Sequence, residues 1–172
     1  MASKISNAII DGDALIITKL SKYLRYSKDE IKTLVKASKK GIIAVETLVE
    51  EAISKVAKVK RSSIDGEDFV NGWDAKKGTV NWHGAGSKSP IRKCSIGTKN
   101  KTGDLVCVIA DPIANEIFYF KIPKSEYCDF PQVKITFSDT GGMPSSLREG
   151  GFSWKMWNLY RKKSFRELCK NS

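Results

Sequence analysis

Apolar residues recur at helical spacing through the first third of the chain and then give way to short, strand-like runs. Ile42, Val45, Val49, Ile53 and Val56 share one face of a helix, while Glu46, Glu50 and Ser54 fall on another. This spacing predicts a helix from about Ile42 to Lys58. Ahead of it, Ser27-Lys28-Asp29-Glu30 has the form of a capping box, with Ser at the N-cap and Glu three residues on. A helix through about Ser38 is expected from it. Lys39-Lys40-Gly41 reads as the stop, with Gly41 in the left-handed region that closes many helices. Residues 8–24 mix apolar and polar groups and read as helical in part.

Past Arg61 the texture changes. Lys76 to Trp82, Ile91 to Gly97, Leu105 to Ala110 and Glu116 to Ile122 are short runs rich in Val, Ile, Thr and aromatic residues. Turn signals separate them: Gly84-Ala85-Gly86-Ser87, Asn100-Lys101-Thr102-Gly103 and Asp111-Pro112-Ile113-Ala114-Asn115. That is the pattern of an antiparallel meander, and Gln132 to Ser138 reads as a further strand. No good helix is visible between Lys77 and Gly150. Asp139 to Gly151 is rich in Gly, Ser and Pro and reads as a loop. From Phe152 to Cys169, Trp154, Trp157, Phe165 and Leu168 can share a stripe, which predicts a closing helix. The expected fold is α+β in a single domain, 1–172, with a helical part (1–60), a mostly antiparallel twisted sheet (61–138), and a loop with a C-terminal helix (139–172).

Charge narrows the class of partner. Thirty Lys and Arg face nineteen Asp and Glu, a formal net charge of +11. Such an excess favours polyanions, nucleic acid first and an anionic membrane surface second. No apolar run approaches the length of a membrane span, and the start Met1-Ala2-Ser3-Lys4 has no signal-like apolar region, so no membrane anchor is expected. Cys94, Cys107, Cys128 and Cys169 are widely spaced and His83 is the one histidine, which argues against zinc. Cys94 and Cys107 sit in strand-like runs and read as small buried apolar residues. A reduced, cytoplasmic protein is expected.

Against this basic background, residues 63–77 stand out. Asp65, Glu67, Asp68 and Asp74 fall within ten positions, and Lys76 and Lys77 follow at once. Converging carboxylates can hold a hard divalent cation. In a strand, side chains alternate, so Asp74 and Lys76 share one face. A cation with a neighbouring ammonium suits phosphodiester hydrolysis, in which negative charge builds on the phosphate.

An acid at Asp65 or Asp68, followed by Asp74-Ala75-Lys76 on the other arm of a hairpin, resembles the PD-(D/E)xK nuclease superfamily of restriction endonucleases and resolvases. The resemblance spans about residues 42–110 and rests on a short motif. It implies a Mg²⁺-dependent DNA endonuclease. Asp65 (or Asp68) and Asp74 would hold the metal, Lys76 would help activate the attacking water, and Glu46 or Glu50 would be the helix acid. Cleavage of a palindromic site would imply a homodimer.

Beside this hairpin, Lys88, Arg92, Lys93, Lys99 and Lys101 crowd the loops flanking one strand and read as phosphate contacts, with DNA favoured over RNA. His83, next to a Gly-rich loop, reads as a structural or surface residue rather than a base. Two rival functions share the same charge: a non-catalytic nucleic-acid-binding protein of phage or plasmid type, and an RNA nuclease of the same architecture. A polar turn at Asp65–Asp68 and a solvated edge strand at Asp74–Lys77 would account for the residues without chemistry.

Overall fold

The computed structural model describes residues 4–63, 67–83, 91–98, 101–127, 132–137, 144–146 and 160–170. Three helices come first: α1 (Lys4–Leu20), α2 (Lys28–Lys39) and α3 (Val45–Ala57), with a 3-10 turn at Ser21–Tyr23. The capping box forms as its sequence implies. The Ser27 hydroxyl accepts from the Glu30 N–H at 3.1 Å, and the Glu30 carboxylate accepts from the Ser27 N–H at 3.2 Å. A cap of this kind is worth about 1 kcal/mol. Gly41 has φ +70°, so the chain turns there at little steric cost.

Among the described residues, eight strands form two sheets. The first has the order β1 (Asp74–Thr79), β4 (Leu105–Asp111), β5 (Glu116–Ile122), β8 (Arg161–Lys162). The second has the order β2 (Asn81–His83), β3 (Ile91–Gly97), β6 (Gln132–Phe137), β7 (Pro144–Ser146). Among these described strands, the pairings are antiparallel except β1 with β4. One-turn helices α4 (Lys124–Tyr127) and α5 (Phe165–Leu168) complete the described elements. The class is therefore α+β, with N-terminal helices, mostly antiparallel strands and a closing helix.

Strand β4 explains the layering. Every residue from Leu105 to Asp111 is buried. Val106, Val108 and Ala110 pack with Ile16, Ile17, Leu20, Val49 and Ile53 of α1 and α3. Leu105, Cys107 and Ile109 point the other way, onto Val80, Cys94, Ile96 and Phe120. Helices thus cover one face and the second sheet covers the other, which is why β4 is a continuous apolar run rather than an alternating one. Each large side chain buried this way contributes about 1.5–3 kcal/mol of transfer free energy.

Four expectations need correction. Lys76 to Trp82 is not one strand. The chain leaves the first sheet at Val80, whose N–H donates to the Ala110 carbonyl at 2.8 Å, and enters the second. The layers meet closely here, since a Cβ on Gly78 would come within 2.8 Å of Cys94 Sγ. The meander is interrupted, because β1 pairs with β4 in parallel and the β2–β3 hairpin crosses to the other sheet. The stretch 152–169 is not one helix: β8 pairs with Tyr119 and Phe120 before α5 begins. Ser164 starts α5 by accepting from the Glu167 N–H. A single helical turn at α4 also lies where no good helix was visible. As expected, Cys94 and Cys107 are buried and unbridged.

Candidate acidic site at the start of strand β1

Asp74 is the first residue of β1, and its side chain is 1 % exposed. The backbone fixes it from two sides. Its N–H donates to the Asp104 carbonyl at 2.9 Å, and Asp74 stands in register with Leu105. Just before it, Asp68 to Trp73 form a tight turn. The Asp68 and Phe69 N–H groups both donate to the Trp73 carbonyl, and Gly72 takes φ +88°. The turn brings Asp68 alongside the strand, where its Oδ2 accepts from the Ala75 N–H at 2.7 Å. The hairpin expected here is reduced to one bridge, Arg61 with Phe69.

Two ammonium groups cover Asp74. Lys101 Nζ lies 2.8 Å from Oδ1, and Lys76 Nζ lies 3.4 Å from Oδ2. Both carboxylate oxygens are buried, and neither has an aligned hydrogen-bond donor. A cleft of ≈ 350 Å³ opens above, walled by Glu46, Glu50, Asp68, Lys76, Lys77 and Lys101, with Ser95–Gly97 of β3 on its border. Asp74 lies beneath this cleft rather than on its wall.

The carboxylates feel one another. Burial raises the Asp68 pKa above the usual value, and the Asp74 charge adds to the rise against the Ala75 N–H and Lys101. Burial likewise raises Glu50, helped by Asp68 and opposed by Arg61, with which it forms an ion pair. For Lys101, burial disfavours the charged form, but Asp74 and Asp68 outweigh it and the pKa rises. Raised acids beside a stabilised ammonium, facing a cleft, are a pattern of functional sites as well as of structural ion-pair networks.

The structure thus gathers Asp74, Lys76, Glu50 and Asp68. Glu46 stands at the rim, its side chain 57 % exposed and 3.6 Å from Lys77 Nζ. Lys77 is held more closely by Asp13 of α1, at 2.6 Å. Lys101, read from sequence as a phosphate contact, sits instead on Asp74. Arg92 and Lys93 stand on β3 in register with Phe137 and Thr136, and His83 on β2 opposite Ile91. Asp65, Lys88 and Lys99 lie outside the described residues. The roles of Lys101 and Asp13 were missed because each acts across a long sequence separation; the one usable signal was the Gly103 turn after Lys101.

That turn is held tightly. A Cβ on Gly103 would fall 2.0 Å from the Gly72 carbonyl oxygen, so only glycine lets the two turns cross. The Tyr127 hydroxyl donates to the Gly103 carbonyl from the far side. Trp73 is clamped by Lys121, whose Nζ lies 3.9 Å from the ring centroid and donates to the Lys170 carbonyl.

Among the described residues, no three Asp, Glu, His or Cys side chains form a ready metal-binding group. The donor chemistry nonetheless fits a hard cation. Buried Asp74 oxygens without aligned donors are what a cation would satisfy, and Asp68 and Glu50 are the acids nearest in charge. Among the described residues no helix is long and apolar enough to cross a membrane. No family model, curated protein or solved structure matches the chain.

Proposed function

We propose that the protein is a Mg²⁺-dependent DNA endonuclease of the PD-(D/E)xK kind. The observation that carries this reading is the buried Asp74 carboxylate with Lys76 two residues on and Asp68 beside it, under an open cleft. Asp74 and Asp68, with Glu50, would hold the metal. Bound there, it would supply a Lewis acid for the phosphate and lower the pKa of water. Lys76 places positive charge at the cleft, where it stabilises charge developing on the phosphate. Parallel pairing with fully buried β4 keeps Asp74 in place. The closed position of Lys101 keeps the carboxylate neutralised until another cation competes for it. The net charge of +11 favours a polyanionic substrate.

The test uses plasmid DNA with Mg²⁺ or with Ca²⁺, and the Asp74→Asn variant. Expected are cuts by the parent with Mg²⁺, none by the variant, and binding without cuts with Ca²⁺. A variant that cuts at the parental rate places the chemistry elsewhere. A parent that retards DNA without cutting it under any divalent ion would make the protein a binder. Cutting confined to RNA would make it an RNA nuclease.

A further inference from the structure

A second cleft, of ≈ 470 Å³, lies at the other end of α3. Lys22 and Arg25 reach it from the 3-10 turn and the residues after it, Lys55 and Lys58 from the end of α3, and Arg166 from α5. Among the described residues, no carboxylate lines it. Of the three α3 glutamates, Glu50 is drawn to Arg61 and Glu46 to Lys77, while Glu51, one turn before Lys55, is exposed and makes no ion pair among the described residues. Among the described residues, none of the five cations has an ion-pair partner.

We infer that this cleft binds the phosphate backbone of a nucleic acid, at a place separate from the acidic cleft. Five like charges around a concave wall repel one another and focus a positive potential that a polyanion relieves. The side chains are also held in place. Tyr23 stacks obliquely on Phe165, with centroids 4.7 Å apart, and carries Lys22 at 5.0 Å and Arg166 at 5.4 Å over its ring. Backbone strain points the same way. Of the three non-glycine residues with positive φ among those described, two are Arg25 (φ 58°) and Lys58 (φ 56°), and both line this cleft. Glycine or asparagine would sit there more cheaply, so local conformation does not explain the basic side chains. Lys58 is eight residues past Glu50, about 12 Å along a helix axis, or three to four phosphate steps of a duplex strand at ~3.4 Å each. The choice of a nucleic acid as the anion rests on the function proposed above; the cleft itself does not.

Glycine at the two strained positions makes the test clean, because Arg25→Gly and Lys58→Gly remove charge while relieving the backbone. The double variant should melt at or above the parental temperature, and a lower Tm would refute the strain argument. Affinity for a fluorescent 20-base-pair duplex is measured by anisotropy in EDTA across a salt series. Losing two contacts should make the log–log salt slope shallower by about 1.8, and at 0.15 M salt weaken binding by about 30-fold, from ~0.9 per contact. A control, Lys36→Gln with Lys39→Gln on α2, removes the same net charge and should change affinity much less. Parental slope and affinity in the double variant, an equal loss in the control, or no parental binding to the duplex each overturn the inference. So does a variant that loses phosphatidylserine vesicles but keeps DNA, since the anion would then be a lipid surface. A parent that binds through this cleft and never cuts refutes the endonuclease and leaves the cleft standing.

Discussion

Lys101→Ala removes the ammonium that covers the Asp74 carboxylate, and its effect can be worked out from the geometry. At 2.8 Å and an effective dielectric near 20, the gross attraction is about 6 kcal/mol. Much of that is offset by the cost of burying the charges. Removing one partner of a buried pair typically costs about 3–5 kcal/mol. Here Lys76 remains 3.4 Å from the other oxygen, so a loss of about 2–3 kcal/mol is expected. For a chain of this length that lowers Tm by roughly 5–10 °C. The raised pKa of Lys101 means its contribution is fully present below the unfolded lysine value and lost only as pH rises through the higher folded one. At neutral pH the ammonium therefore stays in place, and only a competing cation displaces it. In the variant that competition is gone. A divalent ion at ten times its Kd should restore about 1.4 kcal/mol, roughly half to two-thirds of the loss. The assay is thermal melting of both proteins in EDTA and across a MgCl₂ series, with ionic strength held constant by NaCl. Mg²⁺ should raise the Tm of the variant by several degrees more than that of the parent. Equal shifts, or none in either protein, would mean that Lys101 and the metal do not share the Asp74 carboxylate.

Lys76→Ala should slow single-turnover cleavage by a hundredfold or more, a typical value for one donor to developing charge, while leaving DNA affinity within a few-fold; matched losses in both would make Lys76 an ordinary phosphate contact. Asp68→Asn should raise Tm at pH 7, because a carboxylate whose folded pKa is raised gives stability below its unfolded value that is lost as pH rises through the folded one, and Asn keeps the acceptor for the Ala75 N–H. Melting from pH 3 to 8 checks this: the advantage of the variant should vanish near and below pH 4, and a variant less stable at pH 7 would sink the argument.

What the sequence disclosed was mostly local. The Ser27–Glu30 box, the left-handed Gly41 and the Val45, Val49 and Ile53 part of the α3 stripe each depend on neighbours within one or two turns, and each formed; Ile42, expected at the head of that stripe, lies before the helix and is 71 % exposed. The limits of β3 and β5 were equally plain, because turn residues bound them. What remained hidden was long-range. Nothing in Gly78-Thr79-Val80-Asn81 marks the change of sheet, which follows from the close approach of Gly78 to Cys94. The unbroken apolar run of β4 did carry a signal, since a strand buried on both faces needs no alternation. It could have warned against a simple meander. The pairing of β8 with β5 was masked by a plausible aromatic stripe, a case in which helical spacing arose without a continuous helix. In the site, Asp74 and Lys76 followed from alternation along one strand. Lys101 over Asp74 and Lys77 on Asp13 depend on how the loop and α1 pack, which no short motif contains.

Stability alone does not account for Asp74. A carboxylate whose side chain is 1 % exposed carries a desolvation cost at the start of a buried strand that its two ammonium partners must offset. Replacing the whole set, Asp74 with Lys76 and Lys101, by apolar residues of similar volume would commonly be neutral or stabilising. The surroundings add to the cost. Asp68 is held beside it by the Ala75 N–H, and burial raises the pKa of both Asp68 and Glu50. At the same time the neighbouring backbone is tightly fixed, by Gly103 against Gly72, the Tyr127 hydroxyl on Gly103, and the Asp74 N–H on Asp104. A sequence shaped by folding alone would not combine a rigid frame with acids set against one another. A site that must hold a cation and meet a phosphate has reason to: the frame prevents the carboxylates from swinging apart, and their mutual repulsion is the free energy that a bound cation recovers. On this argument the tension among Asp74, Asp68 and Glu50 should fall when a divalent ion binds, the same event expected to release Lys101 from Asp74.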